Sequence, residues 1–139
     1  MQKKKEGKKI EDQRVFDHIK SIKKTYTAAK QQITAPVVEE MKALREVFIE
    51  LQHPTLVKSV RLVYEYAAEF GEFSIAPWEE DADANSFEYY LELLENPFNK
   101  YNREEIKELN IFLKGRLNGE DIEFNVFSDE EEENEEGEA

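Results

Sequence analysis

Residues 36–51 read Pro-Val-Val-Glu-Glu-Met-Lys-Ala-Leu-Arg-Glu-Val-Phe-Ile-Glu-Leu, and this stretch decides the fold of the chain. Its apolar residues recur in alternating steps of four and three, at Val37, Met41, Leu44, Phe48 and Leu51. Such spacing places one apolar stripe along one side of an α-helix. Pro36 fits the first helical turn, where its missing N–H removes no hydrogen bond. The stretch therefore predicts an amphipathic helix.

The segments on either side repeat this pattern. The preceding stripe comprises Val15, Ile19, Ile22, Tyr26, Ala29 and Ile33. The following stripe comprises Leu56, Val60, Val63, Ala67 and Phe70. Pro54 suits the start of that third helix and Gly71 suits its end. Because short connections make consecutive helices antiparallel neighbours, we predict a three-helix bundle over residues 12–70.

The second half of the chain is less regular. Asn85 with Glu88, and Asn102 with Glu105, have the spacing of helix-capping pairs, and each pair precedes an apolar stripe. Residues 72–76 and 121–127 alternate between apolar and polar, which predicts two short strands. The predicted fold is mainly α, an antiparallel helical bundle of about five helices with a minor two-stranded β ribbon.

The two ends of the chain carry opposite charge. Lysines dominate residues 1–11, whereas residues 128–139 contain eight Asp/Glu and no Lys or Arg. Neither end has enough apolar surface to offset the entropy of ordering it. We therefore predict a disordered basic arm over 1–11, a single helical domain over 12–127 with its bundle at 12–70, and a disordered acidic tail over 128–139.

Composition excludes several classes of protein. The chain has no cysteine, which removes disulfides, thiolate metal sites and cysteine nucleophiles. No segment has the roughly 18 apolar residues of a membrane span, and no signal-peptide pattern follows the first lysines. We expect a soluble intracellular protein that is not secreted, located in the cytoplasm or within a virion or large complex.

Residues 81–92 place oxygen ligands at the first, third, fifth and twelfth positions of a loop. This pattern resembles the calcium loop of the EF-hand family. The resemblance implies Asp81, Asp83 and Asn85 as ligands, the Phe87 carbonyl as another, and Glu92 as a bidentate ligand. Ser86 stands where that family has glycine, and Glu88 stands where it has an apolar residue. We interpret the loop as a helix cap and predict no metal site.

Catalytic and cofactor motifs are absent from the sequence. His18 and His53 are the only side chains with an ordinary pKa near neutrality. No nucleophile elbow, phosphate-binding glycine loop or His-x-x-x-His pair accompanies them. We predict no catalytic residue, no cofactor and no enzymatic activity.

Two sets of residues are candidates for contact with a partner. The basic set is Lys3, Lys4, Lys5, Lys8, Lys9, Arg14, Lys20, Lys23, Lys24 and Lys30. Its members from Lys20 to Lys30 are expected to form a basic flank on the first helix. Trp78 is a candidate interface aromatic, because tryptophan often dominates binding energy at protein contacts, although it more often covers a core edge.

The preferred interpretation is a non-catalytic interaction protein, an adaptor or assembly subunit of a larger complex, including those of viruses. It would dock on protein partners through helix faces and charged ends. One alternative is an accessory nucleic-acid-binding subunit that uses the basic arm and first helix on phosphates. Another is an acidic chaperone or decoy for basic proteins. The sequence predicts no oligomeric state.

Overall fold

The computed structural model describes residues 12–124, and this part of the chain is mainly helical, as predicted. Its α-helices are α1 (Gln13–Ala28), α2 (Ala35–Glu50), α3 (Pro54–Phe70), α4 (Ser86–Glu95) and α5 (Lys100–Leu117). A 3-10 turn, Ala76–Trp78, precedes α4. All five helices contribute side chains to one hydrophobic core. Within residues 12–124, no helix combines the length and the apolar content needed to cross a membrane.

Helix α2 runs antiparallel to α1, and α3 runs antiparallel to α2. Arg14 at the start of α1 pairs with Glu50 at the end of α2, with 2.7 Å between nitrogen and oxygen. Arg45 in the second half of α2 donates to the carbonyl of Val57, near the start of α3. Helix α2 therefore lies between α1 and α3, while α4 packs on α1 and α5 packs on α3.

Helix α1 ends earlier than its apolar stripe predicted. The stripe reached Ile33, but the helix ends at Ala28. Lys30 and Gln31 adopt left-handed backbone conformations, with φ of 61° and 62°, and the Gln31 N–H bonds back to the Tyr26 carbonyl. This turn reverses the chain towards α2, so Ile33 packs on the core from a loop instead of a helix.

The predicted starts of α2 and α3 are confirmed, whereas the predicted start of α5 is wrong. Pro36 and Pro54 occupy first-turn positions, and Gly71 ends α3 in the left-handed conformation with φ 81°. Helix α5 begins at Lys100, because the side chain of Asn99 accepts the N–H of Asn102 at 2.9 Å. The amide of Asn102 is occupied elsewhere: it donates to the Asn96 carbonyl, which ties α5 to the end of α4.

The predicted β ribbon is absent from the described residues. Phe73 and Ile75 point into the core, but the Ile75 N–H bonds to the hydroxyl of Ser86 at 2.8 Å instead of to a strand. At the other end, Phe124 packs its ring against Trp78 and Phe112. Residues 125–127 of the second predicted strand lie outside the described part of the chain.

Candidate partner-binding face

Two cations of the predicted N-terminal set are engaged with carboxylates. Arg14 contacts Asp12 at 3.0 Å as well as Glu50, and these hydrogen bonds raise the pKa of its guanidinium above the ordinary value. Lys23 lies 3.7 Å from the carboxylate of Glu95 on α4. Charges neutralised within the chain contribute less to attracting an external anion.

The remaining cations of that set are more dispersed than predicted. Lys20 and Lys24 are exposed on α1. Lys30 is exposed but lies beyond the helix, in the turn that ends it. The five lysines from Lys3 to Lys9 lie outside the described residues. The structure therefore brings only part of the predicted flank onto one helix.

Trp78 lies at the edge of the core, not on an open surface. Its side chain is 8% exposed, and its ring contacts those of Phe73, Tyr89 and Phe124. The indole nitrogen is buried and has no hydrogen-bond partner among residues 12–124. Because its ring faces other core rings, Trp78 is positioned to hold residues 120–124 against the helices.

The loop that resembles a calcium site is tied to the core by hydrogen bonds. The side-chain oxygen of Asn85 accepts the Glu88 N–H at 3.0 Å, as the capping spacing predicted, and the Tyr26 hydroxyl at 3.1 Å. Ser86 is fully buried, and its hydroxyl contacts the carboxylate of Glu79. Across residues 12–124, no group of three His, Cys, Asp or Glu side chains is arranged to hold a metal.

His53 is a packing residue at the start of α3. Its ring makes edge contacts with the rings of Phe98 and Phe48, with centroids 5.0 Å and 6.4 Å apart. Burial lowers the pKa of this imidazole below its ordinary value. The neutral ring is therefore favoured in the folded protein.

A basic face that the sequence did not predict lies around the start of α3. Three neighbouring grooves meet there, with volumes of about 480, 260 and 410 Å³. They are contiguous because they share lining residues, among them Thr55, Lys58 and Lys107. Six cations line them, and we call this set the basic face: Arg45, Lys58, Arg61, Arg103, Lys107 and Lys114.

The charge of this face contrasts with that of the whole protein, which is −13. Among residues 12–124, Glu120 is the only carboxylate that lines these grooves. Arg61 pairs with Glu65 one turn away, at 3.1 Å. Within the described part of the chain, Lys58, Lys107 and Lys114 make no ion pair within 4.0 Å. Among residues 12–124, an external anion would displace no carboxylate from these three lysines.

The largest of these three grooves lies between α3 and α5, and we call it the α3–α5 groove. The two helices cross instead of running side by side, since Thr55 and Phe70 at opposite ends of α3 meet α5 at Asn110 and Arg116, less than two turns apart. Crossing helices separate away from their contact point. The floor of the resulting groove includes Asn110 and Gly115.

Exposed apolar side chains accompany these cations. Ile111 is 55% exposed and lines the α3–α5 groove, and Ile49 is 44% exposed and lines the groove beside α2. Protein-binding surfaces combine an apolar centre with a polar rim, and exposed isoleucines surrounded by cations fit that arrangement.

No protein-family model, curated protein or solved structure matches the chain. Its function is therefore inferred from its own residues and their geometry. The chemistry that this surface offers is electrostatic and apolar binding: its cations supply hydrogen-bond donors, and Ile49 and Ile111 supply exposed apolar surface.

Proposed function

We propose that the protein is a non-catalytic interaction protein, an adaptor or assembly subunit, that docks on a partner protein through the basic face. The observation that supports this proposal is the gathering of six cations from α2, α3 and α5 on one grooved surface of an acidic chain. Placing like charges together costs electrostatic free energy, and an anionic partner would recover it.

The exposed isoleucines favour a protein as the partner. Ile49 and Ile111 lie within the same surface as the cations and are covered by nothing in the described part of the chain. Covering apolar surface is the main favourable term in protein association. A phosphate backbone would neutralise the lysines but would leave both isoleucines in water.

Affinity capture with paired variants tests the proposal. The tagged full chain is used to capture proteins from extracts of its source, with nuclease treatment in every arm. The test variant, K58E/K107E/K114E, reverses three exposed cations of the basic face. The matched control, K20E/K24E/K30E, reverses three exposed lysines near α1 and makes the same change in net charge.

We expect the test variant to lose a partner that the control variant retains. Nuclease treatment should not release that partner. Equal capture by the wild type and both variants would refute the role of the basic face. Loss of capture in the control variant alone would instead assign the partner contact to the predicted N-terminal set. Loss of the partner on nuclease treatment would indicate that nucleic acid mediates the binding.

A further inference from the structure

We infer that the α3–α5 groove binds an extended segment of the partner protein that carries both acidic and apolar side chains. This inference rests on the proposed function and specifies the partner's chemistry. The groove has a volume of about 480 Å³, which accommodates a few residues of extended chain. Its lining combines cations, an apolar side chain and a buried amide, and each selects a different feature of the ligand.

The cations select carboxylates. Lys58 approaches the groove from α3, and Lys107 and Lys114 approach it from α5. All three are exposed and make no ion pair among residues 12–124. An ammonium group donates to oxygen anions and forms stronger hydrogen bonds with them than with neutral acceptors. Glu120 also lines the groove and repels anionic groups of the ligand from its own vicinity.

Asn110 selects a ligand that also donates a hydrogen bond. Asn110 is 6% exposed, and its Nδ2 donates to the Thr55 carbonyl at 3.4 Å. The amide cannot be reversed, because Oδ1 would then face another acceptor. Oδ1 is buried and has no partner within the described chain. A peptide N–H of the ligand would satisfy this acceptor, whereas a phosphodiester backbone offers no such donor.

Ile111 selects apolar side chains and identifies the source of the segment. It lines the groove with 55% of its surface exposed. In residues 125–139 of this chain, the two large apolar side chains, Val126 and Phe127, precede the acidic residues instead of alternating with them. This stretch could neutralise the lysines, but it does not alternate acidic and apolar side chains. The segment is therefore assigned to another protein, in which acidic and apolar residues alternate along an extended chain.

Fluorescence anisotropy with synthetic peptides tests this inference on the full chain. The probe is a short labelled peptide of alternating Glu and Leu. Three competitors isolate its features: the same peptide with Gln for Glu, the same peptide with Ala for Leu, and a single-stranded oligonucleotide of equal charge. We expect the Glu–Leu peptide to bind most tightly, with an affinity that falls as salt increases.

Variants locate the binding. K58Q/K107Q/K114Q should weaken peptide binding on the order of tenfold, because three exposed charge pairs are lost. The matched control K20Q/K24Q/K30Q should leave binding unchanged. Ile111→Ser should reduce the preference for Leu over Ala in the peptide, and Asn110→Leu should weaken binding of every peptide. Circular dichroism melting of each variant verifies that it remains folded.

Three results would overturn the inference: tighter binding of the oligonucleotide, equal binding of the Glu–Ala peptide, or an equal loss in the control variant. The outcome is separable from that of the proposed function. If K58E/K107E/K114E loses the captured partner but the peptide binds the wild type and every variant with equal affinity, the basic face retains its role and only the peptide inference fails. If partner capture is also unaffected, both fail.

Discussion

A buried hydrogen bond between α3 and α4 provides the most demanding test of the structure. The hydroxyls of Ser59 and Tyr90 lie 2.9 Å apart, and both residues have no exposed surface. Burial raises the pKa of Tyr90, so its hydroxyl stays protonated. Ser59 follows Lys58 on α3, so this bond also holds the helix that carries part of the basic face. We predict that Ser59→Ala and Tyr90→Phe lower the free energy of unfolding by different amounts.

Ser59→Ala should be the more damaging substitution. It leaves the Tyr90 hydroxyl buried without a partner, which lowers the free energy of unfolding by about 1–3 kcal/mol. The better helix propensity of alanine offsets about 0.5 kcal/mol of this loss. After Tyr90→Phe, the Ser59 hydroxyl has an alternative acceptor in its own helix, the Thr55 carbonyl one turn earlier. That substitution should therefore cost about 0.5–1.5 kcal/mol.

Urea denaturation followed by circular dichroism measures both costs. The double variant completes a thermodynamic cycle, and it should cost less than the sum of the single variants by about 1 kcal/mol. Equal costs, or additive ones, would refute the reasoning, because they would mean that the two hydroxyls do not depend on each other. A reversed order would mean that the Ser59 hydroxyl lacks the second acceptor.

Further predictions concern Asn110, His53 and Asn85. Asn110→Leu should raise the free energy of unfolding by about 1 kcal/mol, since it removes an unpartnered buried acceptor and keeps a side chain of similar size; a loss of stability in urea would contradict this. The lowered pKa of His53 means that the unfolded chain binds its proton more tightly, so the stability that the neutral ring contributes is present above pH 6.5 and lost as pH falls below it. NMR titration should place the pKa of His53 below 6.5, and His53→Gln should lose less stability than the wild type between pH 7 and pH 5; a pKa of 6.5 or above would refute the assignment. Asn85→Ala should cost about 2 kcal/mol, because α4 loses its cap and the Tyr26 hydroxyl loses its acceptor. Added calcium should leave the melting temperature of the wild type unchanged, and a rise would restore the metal interpretation of residues 81–92.

Helix positions were predictable from the sequence because the buried apolar residues of a helix recur with the helical period. Val37, Met41, Leu44 and Phe48 are all buried on α2, as their four-three spacing requires. Helix ends were less predictable, because they depend on which polar side chain captures the first free N–H groups. Asn99 and Asn102 are equally good caps by residue type, and the choice between them depends on the Asn96 carbonyl, which also binds the Asn102 amide.

The basic face could not be predicted from local patterns, because its cations come from three helices. Helix α3 contributes only Lys58 and Arg61, and α5 reads as acidic around Glu104, Glu105 and Glu108. A helical projection of α5 places Lys107 and Lys114 on one side and Glu105 on the opposite side, where Glu105 accepts the Tyr89 hydroxyl at 2.6 Å. The crossing of α3 and α5 then adds Lys58 to the same surface.

The contact between Trp78 and Phe124 gives the protein an optical reporter of its own. The chain has a single tryptophan, and its indole lies 5.5 Å from the Phe124 ring, measured between centroids. Residues 120–122 of the same segment form one wall of the α3–α5 groove. Release of the segment from α5 would admit water to the indole and shift its emission to longer wavelength. Intrinsic fluorescence therefore follows the state of that wall without any label.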